Sequence, residues 1–99
     1  GERRISWSKT PPLNNPVIKG KWWNKDEKNK LQLSLDYKVA NDLKLKIGDS
    51  MTFNIFGNSV KGIITNFRKV DYRDLNINFA ILFNPKNMHQ KFLMNLCLL

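Results

Sequence analysis

From residue 31 onward the apolar positions recur with periods that identify the elements. Leu31, Leu33 and Leu35 fall on one face and Gln32 and Ser34 on the other, the alternation of a strand. The period then changes. Val39, Ala40 and Leu43 lie at helical spacing, Asp36 suits an N-cap, and Gly48-Asp49 closes the unit, which predicts one short helix over about 37–45. Met51, Phe53 and Ile55 alternate with Thr52 and Asn54 in a further strand. Gly57-Asn58 is a two-residue turn signal, and Val60 to Phe67 reads as the returning arm of a hairpin. Residues 68–74 are polar and read as a charged bend. Leu75, Ile77, Phe79, Ile81 and Phe83 give the longest strict alternation in the chain, ended by Asn84-Pro85.

Upstream the pattern is weaker. Pro11, Pro12 and Pro16 with Asn14 and Asn15 argue against regular structure over residues 1–16. Val17 to Trp23 reads as a short strand ending in two tryptophans, and residues 24–30 are a polar connection. The expected class is mainly β (α+β): a small sheet or partial barrel of about five strands with one short helix. The expected organisation is an irregular lead-in over 1–15, a β-rich domain over 16–88 and an apolar tail over 89–99. The expected core is Leu33, Leu35, Val39, Leu43, Ile47, Met51, Phe53, Ile55, Ile64, Phe67, Ile77, Phe79 and Ile81.

Composition adds two points. The chain of 99 residues starts at Gly1, not Met, which suggests processing or a piece of something longer. No stretch approaches the ~20 apolar residues of a membrane-spanning helix, and Arg3-Arg4 is not followed by the apolar core of a signal peptide. The formal charge of +9 points to a polyanionic partner, nucleic acid or an anionic membrane surface. The excess, however, rests on 13 Lys against 4 Arg, beside 13 Asn. Bidentate phosphate and base contacts favour Arg, whereas Lys and Asn are what an A+T-rich genome supplies at exposed positions.

Candidate chemistry is sparse. His89 is the one histidine and Cys97 the one cysteine, too few for a zinc site, a disulfide or a Cys/His pair. No phosphate-cradling glycine motif occurs, and Asp71 and Asp74 sit among Arg68, Lys69 and Arg73, where ion pairing explains them. No cofactor and no catalysis are expected. Two constellations remain. Trp22-Trp23, placed on a strand, would point its rings to opposite faces, one packing and one free to anchor a partner. Arg68-Lys69-Val70-Asp71-Tyr72-Arg73 interleaves cations with an aromatic and suits either a charged bend or a grip on nucleic acid. Trp22, Trp23, Arg68, Lys69, Asp71 and Tyr72 are the candidate partner contacts.

Taken in order, Trp22-Trp23, Leu33-Ser34-Leu35, residues 40–49 (Ala-Asn-Asp-Leu-Lys-Leu-Lys-Ile-Gly-Asp), Thr52-Phe53, residues 68–72, Asn78-Phe79 and Phe83-Asn84-Pro85 resemble the extracytoplasmic region of FtsX/MacB-like ABC transporter permeases of the YbbP type, over about residues 16 to 86. The resemblance implies a non-catalytic domain on the periplasmic face of the bacterial inner membrane. Its partners would be the rest of the permease, a separate cytoplasmic ATPase subunit, and an envelope protein or lipid-like substrate. Its role would be to transmit ATPase-driven motion or to dock a partner. The Leu-x-Leu-x-x-Gly-Asp unit over residues 43–49 is also found in small basic AbrB-like DNA-binding barrels, which makes nucleic acid the alternative partner. Lys44 stands where such permeases have Gly, which calls for a non-glycine residue at positive φ or a different closure of the helix. Tyr72 stands where Trp is common, and the tail from Gln90 does not match.

Overall fold

The computed structural model describes residues 5–24, 30–55, 57–73 and 79–84. Among these residues six strands and one helix follow one another: β1 (Ile5–Trp7), β2 (Val17–Gly20), β3 (Gln32–Asp36), α1 (Tyr37–Asp42), β4 (Ser50–Ile55), β5 (Asn58–Arg68) and β6 (Ile81–Phe83). They form one mixed, open sheet in the order β1-β6-β3-β5-β2, with β4 on the same edge of β5 as β2, further toward the start of β5. The mainly β class with one short helix is therefore what the chain adopts.

β3 is central. It runs antiparallel to β6 and parallel to β5, and all five of its residues are buried. Leu33 and Leu35 face the apolar core with Ile64, Phe67, Ile81 and Phe83, and Val39 and Ala40 of α1 close over them. Met51 and Phe53 of the β4 arm pack on the same cluster, with the Phe53 and Phe83 rings edge to face at 5.5 Å. One irregularity makes this core possible. The β3–β5 register runs Leu33 to Ile64 and then Ser34 to Asn66, so β5 carries an extra residue at Thr65. That bulge reverses the parity of β5. Ile64 and Phe67, three apart, both face the core, while Asn66 and Arg68 turn to the opposite face with Ser34 and Asp36.

The helix begins as expected: the Asp36 carboxylate accepts a hydrogen bond from the Lys38 amide at 3.0 Å. It ends sooner than 45, because Lys44 adopts φ 57 and reverses the chain, the Leu45 amide bonding back to the Ala40 carbonyl at 2.8 Å. A non-glycine residue at positive φ is thus the closure used. The reversal turns Leu43 outward, 47% exposed, so Leu43 does not belong to the core. Beyond it, the Gly48 amide bonds to the Ile64 carbonyl and the Ile64 amide to the Asp49 carbonyl, both at 2.8 Å, tying the Gly-Asp corner to β5.

Several expectations need correction. Residues 1–16 are not wholly irregular: Ile5–Trp7 pairs in parallel with Ile81–Phe83, and the Ser8 amide extends that ladder to the Phe83 carbonyl. β2 stops at Gly20, because its φ of 77 and a Cβ position only 2.2 Å from the Thr65 carbonyl oxygen require glycine and turn the chain out of the sheet. The hairpin loop lies one residue earlier than expected, since Ile55 pairs with Asn58 and β5 starts there. Arg68 is the last residue of β5 and not the first of the bend. Phe79 and Ala80 precede β6, while Leu75 and Ile77, like His89 and Cys97, lie outside the described residues. Among the described residues no helix is long and apolar enough to cross a membrane.

Candidate partner-contacting groove over a buried arginine

The sheet face opposite the apolar core is polar and yet buried. Ser34, Asp36, Asn66 and Arg68 lie there, with Arg68 at 0% exposure. All three nitrogens of the Arg68 fork donate. Nε donates to Ser34 Oγ at 2.6 Å, and Nη1 donates to Asn15 Oδ1 at 2.6 Å. Nη2 donates to the carbonyls of Phe79, Ala80 and Ser34 at 2.9, 3.1 and 3.2 Å. A planar guanidinium with donors in fixed directions can serve three chain segments at once, where an ammonium could not. Burial is the larger influence on its proton affinity and pushes it down to about 10, against a smaller upward pull from the charges of Asp36 and Tyr72. It remains charged at neutral pH.

The segment over 8–16 roofs this face. Its Asn15 reaches Arg68, and its Pro16 carbonyl accepts from the Lys69 amide at 2.9 Å. The two tryptophans fasten the same segment. Their rings stack at 3.9 Å between centroids, Trp22 Nε1 donates to the Lys9 carbonyl at 3.0 Å, and Trp23 Nε1 donates to the Ser8 carbonyl at 2.9 Å. Trp22 and Trp23 follow β2 and do not lie on it, so the expectation of opposite-pointing rings gives way to a stacked pair. Trp23 is buried and Trp22 half-buried.

Above Arg68 the chain leaves β5 and lines a surface groove of about 420 Å³. Lys69, Val70, Asp71, Tyr72 and Arg73 form one wall, and Lys38 of α1 contributes from the other side. The Tyr72 hydroxyl donates to Asp36 Oδ2 at 2.7 Å, which fixes the ring while leaving the residue 54% exposed. Arg73 pairs with Asp71, its Nε and Nη2 donating at 3.0 and 3.2 Å. Those bonds hold the Asp71 carboxyl below its ordinary range and raise the Arg73 guanidinium. Among the described residues the groove thus carries Lys38 and Lys69 beside the Arg73–Asp71 pair.

Of the six candidate contacts, the structure brings Lys69, Asp71 and Tyr72 to one groove. Arg68 lies beneath it, not on an exposed bend, and Trp22 and Trp23 lie elsewhere, Trp22 beside a second, more open depression with Lys30 and Gly48. Lys38 went unnoticed in the sequence because it comes from a distant element with no local signature. Asn15, read as part of an irregular lead-in, is buried against Arg68. Among the described residues no three His, Cys, Asp or Glu side chains group to hold a metal ion.

Over 82 residues, 83% of its length, the chain is 30% identical to a protein of Escherichia coli (strain K12) described as an uncharacterized ABC transporter permease YbbP. The chain spans about a tenth of that relative, 10% of its length. No family model matches the chain, and no solved structure matches it. The chain is therefore related to a segment of an ABC transporter permease.

Proposed function

We propose that the chain is a non-catalytic, extracytoplasmic domain of an ABC transporter permease of the FtsX/MacB-like, YbbP type, held at the periplasmic face of the bacterial inner membrane. The 30% identity over 82 residues to a permease carries the proposal. In this reading the domain transmits motion driven by a separate cytoplasmic ATPase subunit, or docks an envelope partner or lipid-like substrate. The fold suits a mechanical part. Arg68 ties the 8–16 segment, β3 and the entry to β6 into one unit, so displacement of one segment loads the others. Lys69, Asp71 and Tyr72 are the proposed contacts on its surface, with Arg68 positioning them from below.

The charge of +9 supports the alternative of a small basic nucleic-acid-binding barrel. Burial of Arg68 and the open sheet weigh against it. The distinguishing experiment is co-purification of the full-length protein that carries this segment. Recovery from solubilised membranes together with an ATPase subunit is the expected result. Recovery from the soluble fraction without one would overturn the proposal.

A further inference from the structure

Leu13 is the most exposed large apolar side chain among the described residues, at 101%. It does not sit on a loose loop. The Asn15 amide bonds to the Pro12 carbonyl at 3.1 Å, closing a turn with Leu13 near its tip, and prolines stand at both ends. Asn15 is anchored to Arg68 at 2.6 Å and Pro16 to Lys69 at 2.9 Å. The fold therefore holds the backbone that carries this aliphatic side chain, so binding has only the side chain itself left to order.

Leu13 borders a shallow hollow with Asn14, Pro16, Asp71 and Arg73, which adjoins the groove of Lys38, Lys69 and Tyr72. Tyr72 has its hydroxyl turned inward to Asp36, so what it shows to solvent is mainly ring. Among the described residues, one face of the domain thus combines a projecting aliphatic residue, an aromatic ring and the cations Lys38, Lys69 and Arg73, with one lining carboxylate, Asp71, that Arg73 pairs. Nucleic acid would use the cations and the ring, and would take a projecting leucine only by unstacking a base step to admit it. An anionic bilayer uses all three: headgroups meet the cations, the ring sits at headgroup level, and the leucine enters the acyl boundary.

We infer that this face, with Leu13 and Tyr72 exposed on it and Lys38 and Lys69 beside them, docks the domain on an anionic phospholipid surface. The inference rests on the surface alone and stands or falls separately from the assignment to a permease.

The test is co-sedimentation of the chain with vesicles of phosphatidylglycerol and phosphatidylcholine in equal parts, with pure phosphatidylcholine as the neutral reference. Lys38→Gln and Lys69→Gln should each weaken binding about fivefold, since a cation near an anionic surface contributes roughly that factor. Leu13→Ala should weaken it about tenfold by removing aliphatic carbon from the acyl boundary. Lys61→Gln, exposed near the start of β5 and lining neither hollow, should have a clearly smaller effect. All four side chains are exposed, so the variants keep the native melting temperature, and that is measured alongside. Equal losses for Lys61→Gln and Lys69→Gln, no loss for Leu13→Ala, or tighter binding to duplex DNA than to the vesicles would each overturn the inference.

Discussion

Replacing Arg68 by methionine keeps most of the stem volume and removes the guanidinium. Five hydrogen bonds vanish, two to the side chains of Ser34 and Asn15 and three to the carbonyls of Ser34, Phe79 and Ala80. Asp36, 1% exposed, loses the nearest buried positive charge. Burial lowers the proton affinity of Arg68 more than its neighbours raise it, so the charged network is not a large net source of stability as a whole. Removing one member is different, because the others stay buried without their donor: about 3–5 kcal/mol for a broken buried charge network. A chain of this length has ~5–15 kcal/mol in total, and each kcal/mol moves the midpoint ~4–8 °C. Arg68→Met should therefore lower the melting temperature by roughly 15–30 °C, read by circular dichroism and checked by urea unfolding. Arg68→Lys should fall between, since one ammonium cannot serve three segments. Adding Asp36→Asn to Arg68→Met should restore part of the loss, because asparagine keeps the helix cap and removes the stranded charge. The reference is Arg73→Met, 92% exposed and bridged to Asp71, which should melt like the parent. The sign of the pH effect is fixed too. The folded state binds the Arg68 proton less tightly than the unfolded chain, so the cost of burying the charge is complete below pH 10 and declines above it. Alkaline loss of stability in that range is then owed to other groups. Melting of Arg68→Met within a few degrees of Arg73→Met would refute the reasoning.

Other substitutions probe the backbone and the sheet. Gly20→Ala places a Cβ 2.2 Å from the Thr65 carbonyl oxygen at φ 77, whereas Gly48→Ala meets open space at φ 95. The first should cost about 3 kcal/mol or more through clash plus strain, the second about 1–2 through strain alone, and equal melting temperatures would contradict this. Lys44→Gly relieves the left-handed strain at φ 57 and should raise stability by about 1 kcal/mol in urea titration; a loss would show that the lysine side chain contributes there. Asn84→Ala removes the 2.7 Å bond from the Gln32 amide to its Oδ1 and the 3.1 Å bond from its Nδ2 to the Lys30 carbonyl. It should cost about 1–3 kcal/mol and speed amide exchange at Gln32.

Local periodicity made β3, α1 and the β4–β5 hairpin legible, because each is defined by neighbours within a dozen residues. Lys44 is marked by the resemblance, in which Gly stands at that position, and not by the periodicity, which runs the helix on to about 45. What escaped had non-local causes. Gln32 and Ser34 read as the outer face of an amphipathic strand, but β3 is central and its second face is covered by the 8–16 segment, which no alternation encodes. The bulge at Thr65 decides that Asn66 and Arg68 turn inward, and bulges leave no period of their own. Arg68 consequently read as part of a charged bend when it is the tie of the polar layer. β1 pairs with a strand more than seventy positions later, so three residues beside a proline-rich stretch gave no signal. Of the site, Lys69, Asp71 and Tyr72 were legible as a run of charge and aromatic residues; Lys38 needed the fold.

The most direct test of the central claim is topological. Alkaline phosphatase, active only after export, is fused just after Pro85 in the full-length protein, and whole cells and membrane fractions are assayed. The account predicts active phosphatase in the membrane fraction, which places the domain outside the cytoplasm as part of a membrane protein. Inactive phosphatase in the soluble fraction would contradict it and leave the charge of +9 as the better guide to function.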